Sequence, residues 1–167
     1  LIKLCVLYSK NKKFRTMFEF CENVLAEHPK NKIAQAFLGS AMQELQQEKE
    51  AEQYFINVLK KDVNNSAIYY LLGTGYIKTA QFEKAIKAFE KFVNLEPKSH
   101  LGRTMLAQCR LSLGDFRQGW IDYENRHDVP PPAWNSAKFI SQKPIWSGQK
   151  CKRLLVWAEQ GIGDEVL

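Results

Sequence analysis

Residues 66–97 read Ser66-Ala-Ile-Tyr-Tyr-Leu-Leu-Gly-Thr-Gly-Tyr-Ile-Lys-Thr-Ala-Gln-Phe-Glu-Lys-Ala-Ile-Lys-Ala-Phe-Glu-Lys-Phe-Val-Asn-Leu-Glu-Pro97. Tyr69, Leu72 and Tyr76 fall at helical spacing on one face. After a short turn, Phe82, Ala85, Ile86, Phe89 and Phe92 do the same. The stretch therefore reads as helix A, a turn and helix B. Gly73 and Ala85 are small because the two helices cross closely there. Pro97 ends the unit, since proline cannot continue a helix and biases Glu96 away from one.

The unit recurs. Leu4, Leu38, Leu72 and Leu106 stand 34 residues apart, and three further columns keep step. They are Met17, Ala51, Ala85 and Gly119; Cys21, Phe55, Phe89 and Tyr123; and Tyr8, Met42, Tyr76 and Arg110. A helix pair of this length cannot bury its apolar face alone and must stack on neighbours. The residues of the third unit resemble the tetratricopeptide family, with Tyr69, Leu72, Gly73, Tyr76, Ala85, Phe89 and Pro97 at that family's positions. The second unit keeps Leu38, Gly39, Ala51 and Phe55, with Gln35 and Val63 at the aromatic and proline positions. The first keeps Leu4, Tyr8, Cys21 and Pro29. The expected fold is all-α: an α-solenoid of about four repeats (1–31, 32–65, 66–99, 100–127), a linker (128–150) and an incomplete strand-and-turn opening of an α/β domain (151–167).

The fourth repeat keeps Leu106, Ala107, Phe116, Gly119 and Tyr123 but places Arg110 and Arg126 where inner repeats are apolar. A terminal repeat needs a more polar outer face, so the solenoid is expected to end here. The two arginines read equally as a solvated cap or as a docking surface for a following domain.

Beyond about residue 127 the character changes. Val129-Pro-Pro-Pro-Ala133 should be extended and stiff. All four tryptophans, Trp120, Trp134, Trp146 and Trp157, lie in the last third of the chain, so the linker is expected to pack. Leu154-Leu-Val-Trp-Ala158 reads as a short buried strand. It has no parallel partner within this sequence to complete a crossover unit. Gly161-Ile-Gly163 supplies a tight turn, and Asp164 is placed to cap a helix.

The succession Gly114-Asp-Phe-Arg-Gln-Gly-Trp-Ile-Asp-Tyr-Glu-Asn-Arg126, Pro144-Ile-Trp-Ser-Gly148 and Leu154-Leu-Val-Trp-Ala-Glu-Gln-Gly-Ile-Gly-Asp164 resembles bacterial proteins that join tetratricopeptide repeats to a heptosyltransferase-like glycosyltransferase domain of GT-B type. That resemblance implies a general base at Asp164 and close ligand approach at Gly161 and Gly163, each only in an intact parent. From the residues themselves, Asp164 also reads as a helix cap and the glycines as turn formers. The chain starts without Met and stops shortly after the turn, so it reads as a fragment of a longer protein. By itself it is expected not to be an enzyme.

The remaining features narrow the function. No apolar run reaches the ~18 residues a membrane span needs. The net charge of +6 invites nucleic acid, but the basic residues are interleaved with acids. The densest cluster, Lys10, Lys12, Lys13 and Arg15, sits in a turn. The cysteines Cys5, Cys21, Cys109 and Cys151 lack metal-ligand spacing. Cys5 and Cys21 fall at packing positions and favour a reducing, cytoplasmic setting. His28, His100 and His127 lie near helix ends and form no catalytic set, and no cofactor or metal is expected. The concave side is expected to present Ala36, Ser40, Gln43 and Glu44, then Tyr70, Thr74, Ile77 and Lys78, then Thr104, Gln108, Leu111 and Ser112. This surface lacks the Lys/Asn/Arg set that clamps a C-terminal carboxylate, and lacks an asparagine ladder like that of the nucleocytoplasmic sugar-transferring enzyme. The expected occupant is an extended peptide or an acceptor protein, without nucleic acid or membrane. The oligomeric state is not legible. The alternative is a stand-alone adaptor with no transferase domain.

Overall fold

A computed structural model describes residues 1–128, with side chains placed through Arg126. The linker, the strand and the glycine turn expected beyond residue 128 lie outside the described residues. Among the described residues there are eight α-helices: α1 (Ile2–Lys10), α2 (Phe14–Glu27), α3 (Lys32–Glu44), α4 (Glu48–Lys61), α5 (Ser66–Lys78), α6 (Phe82–Leu95), α7 (His100–Ser112) and α8 (Phe116–Tyr123). A short 3-10 helix, Glu124–Asp128, follows. Odd-numbered helices are helix A of each pair and even-numbered ones helix B. Each helix packs on its sequence neighbours, and α3 also touches α5, which is how a solenoid grows.

The columns read from the sequence become the core. Met17, Ala51 and Ala85 are buried, as is Gly119. Cys21, Phe55 and Phe89 are fully buried. In the second and third pairs the helix B phenylalanine seats on the helix A glycine. A Cβ added at Gly39 would lie 2.0 Å from the Phe55 ring, and one at Gly73 would lie 2.6 Å from Phe89. The first pair meets at the same place through Cys5 and Cys21, whose sulfurs are 3.8 Å apart. Desolvation, followed by the neighbouring Cys5 thiol, pushes Cys21 up to about 12 from its ordinary 9.0.

The leucine column needs one correction. Leu38, Leu72 and Leu106 are buried, but Leu4 is 43% exposed. Leu38, Leu72 and Leu106 each pack in a cluster with residues of the preceding helix B, such as Cys21, Phe55 and Phe89. Among the described residues no helix B precedes α1. The column assigns a position in the repeat, whereas burial depends on what stacks outside it.

The outer face of the fourth pair also departs from expectation. Arg110 turns inward: its Nη1 donates to Asp122 on α8 and its Nη2 lies 3.3 Å from Glu90 on α6. Arg126 stacks over the Tyr123 ring at 4.6 Å and donates to the Tyr123 carbonyl. The surface left outside on α8 is strongly apolar, with Phe116, Trp120 and Ile121 all more than half exposed beside the exposed Arg117 and Gln118.

The turns inside the pairs share a backbone device. Lys12, Gln46, Ala80 and Gly114 have φ of 54°, 62°, 54° and 82°, and they too stand 34 residues apart. Each following amide donates back to helix A: Lys13 to Tyr8, Gln47 to Met42, Gln81 to Tyr76 and Asp115 to Arg110, at 2.8–3.0 Å. This is a left-handed helix C-terminus closed by main-chain bonds. Only the fourth turn uses glycine, the residue that adopts this conformation without strain. Ala80→Gly is therefore expected to stabilise the chain by about 0.5–1 kcal/mol, the left-handed strain relieved less the added freedom of the unfolded chain. Urea denaturation followed by circular dichroism measures it, and an unchanged or lower midpoint contradicts the strain.

Candidate functional site: a groove across the helix A termini

Helices α3 and α7 start from side-chain caps, and α5 does not. Asn31 accepts from the Ala34 amide at 3.0 Å and Ser99 from the Gly102 amide at 3.2 Å, each satisfying a donor the helix leaves open. Asn65, at the same place before α5, makes no side-chain cap, and its buried Nδ2 has no hydrogen-bond partner. These starts are aligned by the stacking, and a groove crosses them.

One hollow of about 440 Å³ is lined by Ala36 and Ser40 of α3, Tyr70 and Leu71 of α5, Phe92 of α6 and Leu101 of α7, among others. An adjoining hollow of about 370 Å³ shares Ala36, Phe37, Ser66 and Ala67 and reaches Ile2, Ile33 and Asn65. The walls are mostly apolar. Tyr70 is fixed between Phe89 and Phe92, its ring 6.0 and 5.4 Å from theirs. Burial raises its phenol above the usual tyrosine range. Glu96 stands at the rim and accepts from the Ser66 hydroxyl at 2.9 Å. Lys32, at the other end, is paired with Asp62 at 2.7 Å. The arrangement suits apolar side chains with hydrogen-bonding backbone between them.

Of the residues expected on the concave side, Ala36, Ser40 and Tyr70 line this groove. The others are placed elsewhere. Gln43 is buried and donates to the Leu71 carbonyl at 2.9 Å, pressed against Gly75. Thr104 is fully buried and donates to the His100 carbonyl at 3.0 Å. For these two the expectation of a ligand-facing side chain is corrected, because each is spent on the backbone of a packed helix. Thr74 donates to the Leu71 carbonyl, and Ile77 packs against the core cluster around Phe89. Lys78 pairs with Glu44 at 2.6 Å. Gln108 is half-buried, and its carbonyl accepts from Ser112. Leu111 lies against Gly119. Asp164, Gly161 and Gly163 lie outside the described residues.

Phe37, Ser66, Leu71, Phe92 and Leu101 were not anticipated. The groove crosses the N-terminal parts of successive A helices, reaching Ser40 on α3, and it borrows Phe92 from the end of α6. The signal in the sequence was the column Ile33, Ala67 and Leu101, at the start of each helix A.

The tetratricopeptide repeat family profile matches residues 66–99. That span holds α5 and α6 whole. Residues 66–99 are similar to a tetratricopeptide repeat. The solenoid is similar to a solved structure of MamA (residues 41 to the end) from Desulfovibrio magneticus, at TM-score 0.61 and 21% identity over 73% of this chain and 69% of that one. It is also similar to a chain in the structure of Naa15/Naa10 bound to HypK-THB, at TM-score 0.67 and 20% identity over 77% of this chain and 19% of that one. At these identities the likeness concerns the fold. Protein FlbA of Caulobacter vibrioides is 25% identical over 98% of this chain, which spans 28% of FlbA. The described residues thus form a solenoid of tetratricopeptide-like helix pairs. Among them no group of His, Cys, Asp and Glu could hold a metal ion, and no helix is long and apolar enough to cross a membrane.

Proposed function

We propose that the repeats are a cytoplasmic protein-interaction scaffold that takes an extended peptide, or a segment of an acceptor protein, in the groove over α3, α5 and α7. The groove itself carries this reading: two adjoining apolar hollows that share walls and span three successive A helices. An extended chain can lay alternate side chains into such a groove while its backbone bonds to polar groups between them. The similar fold in the Naa15/Naa10 complex, which is bound to HypK-THB, is in keeping with a protein ligand. Selection of a random peptide library on the whole chain is the test. Selected peptides are expected to lose at least about tenfold in affinity (~1.4 kcal/mol) on Ala36→Arg, which blocks the groove, and to be unaffected by Lys91→Ala on the exposed side of α6. Peptides indifferent to Ala36→Arg would remove the groove from function.

The domain division at 127 and 150 and the transferase-like tail belong to the same proposal. The tail motif Glu159-Gln-Gly-Ile-Gly-Asp164 supports a modular parent in which the repeats position an acceptor for a glycosyltransferase domain. In that parent Asp164→Asn is expected to abolish transfer, and undiminished turnover would strip Asp164 of its role as base.

A further inference from the structure

The first pair of helices differs from its neighbours at the point where the others are tightest. Where α3 and α5 offer glycine to a phenylalanine of α4 and α6, α1 and α2 offer one cysteine each. Cys5 and Cys21 are both 0% exposed, and their sulfurs touch at 3.8 Å. We propose that Cys5 and Cys21 are a latent disulfide site that joins α1 to α2 when the chain meets a small-molecule disulfide.

The repeat geometry supports the pairing. The helices of the second and third pairs approach so closely at the equivalent positions that a Cβ has no room beside the ring. Filling the same crossing with two short side chains puts sulfur against sulfur. Closure from 3.8 Å to the bonded distance of about 2.05 Å needs side-chain rotation and a small movement of α1, a nine-residue helix at the end of the described stack. On α1, Ile2, Leu4 and Leu7 are all more than 40% exposed. Burial keeps both thiols protonated, so exchange proceeds through local opening of α1.

The chemistry balances as thiol–disulfide exchange. One protein thiolate attacks the reagent disulfide, forms a mixed disulfide and releases one small thiol. The second protein thiolate then attacks that mixed disulfide, forms the Cys5–Cys21 bond and expels the second small thiol. The protein loses two hydrogens and the reagent gains them. The bond closes a short loop and removes freedom from the opened chain. It also fixes Ile2, which lines the far end of the groove.

The test treats the full chain with oxidised glutathione under native conditions, then alkylates free thiols and maps the digest by tandem mass spectrometry. The expected result is a Cys5–Cys21 linked peptide at monomer mass, reversed by a phosphine reductant. Amide exchange across α1 should slow by about tenfold or more. Cys5→Ala, which puts in the first repeat the alanine the fourth carries at Ala107, should abolish both effects without unfolding the chain. Recovery of Cys5 and Cys21 as free thiols, linkage only through Cys109 or Cys151, or equal slowing in the Cys5→Ala chain would overturn the proposal.

Discussion

Phe89→Ala is expected to destabilise the chain by about 3–5 kcal/mol, the range for emptying a buried phenylalanine site. The ring is fully buried, and its cluster includes Ala85 of its own helix with Leu106 and Cys109 of α7. It therefore joins the third pair to the fourth as well as α6 to α5. The seat on Gly73 makes a sharper version possible. Gly73→Ala should cost about 1–3 kcal/mol, because its methyl would enter the space of the ring. Combined with Phe89→Leu it should cost less than the sum of the two single changes, since the smaller side chain vacates that space. Such coupling is the mark of direct contact. Urea titrations of the four chains measure it, and strict additivity would mean the ring and the glycine do not meet.

Arg110→Met should cost about 1–3 kcal/mol by leaving Asp122 without its cation in a half-buried place. Arg110 and Asp122 have side chains 20% and 17% exposed, so solvent weakens the pair only in part. In the first three repeats the equivalent positions are apolar. Tyr8 meets Phe20 edge-on at 6.0 Å, and the corresponding positions, Met42 with Tyr54 and Tyr76 with Ala88, all belong to or pack against one apolar cluster. The ion pair thus replaces a greasy contact that the same architecture accepts. Arg110→Met combined with Asp122→Tyr, which copies the second repeat, should recover most of the loss. A double variant as unstable as Arg110→Met alone would mean that the charge, and not the filled space, holds α8 in place.

How far the sequence carried these conclusions can be judged residue by residue. The columns of Met17, Ala51 and Ala85 and of Cys21, Phe55 and Phe89 were legible because helical periodicity and the repeat period agree on them. Leu4 was misjudged because a column does not say whether a neighbour stacks outside it. Gln43 and Thr104 were misjudged for a related reason. A helical wheel gives the face, but only packing decides whether a polar side chain meets a ligand or is buried on a carbonyl, of another helix for Gln43 and of its own for Thr104. The groove's N-terminal position, and the part played by Phe92, depend on how successive pairs are offset, which no single repeat encodes. The left-handed turns were hidden because lysine, glutamine and alanine carry no mark of positive φ, and Gly114 alone did.

Those turns have a practical corollary. Because main-chain bonds close each of them, the side chains at Lys12, Gln46 and Ala80 are not what holds the bend, and all three lie on the surface. They are natural points for grafting labels, affinity tags or short epitopes, at a distance from the groove and at a regular interval. A probe placed at each in turn would serve as a ruler along the superhelix.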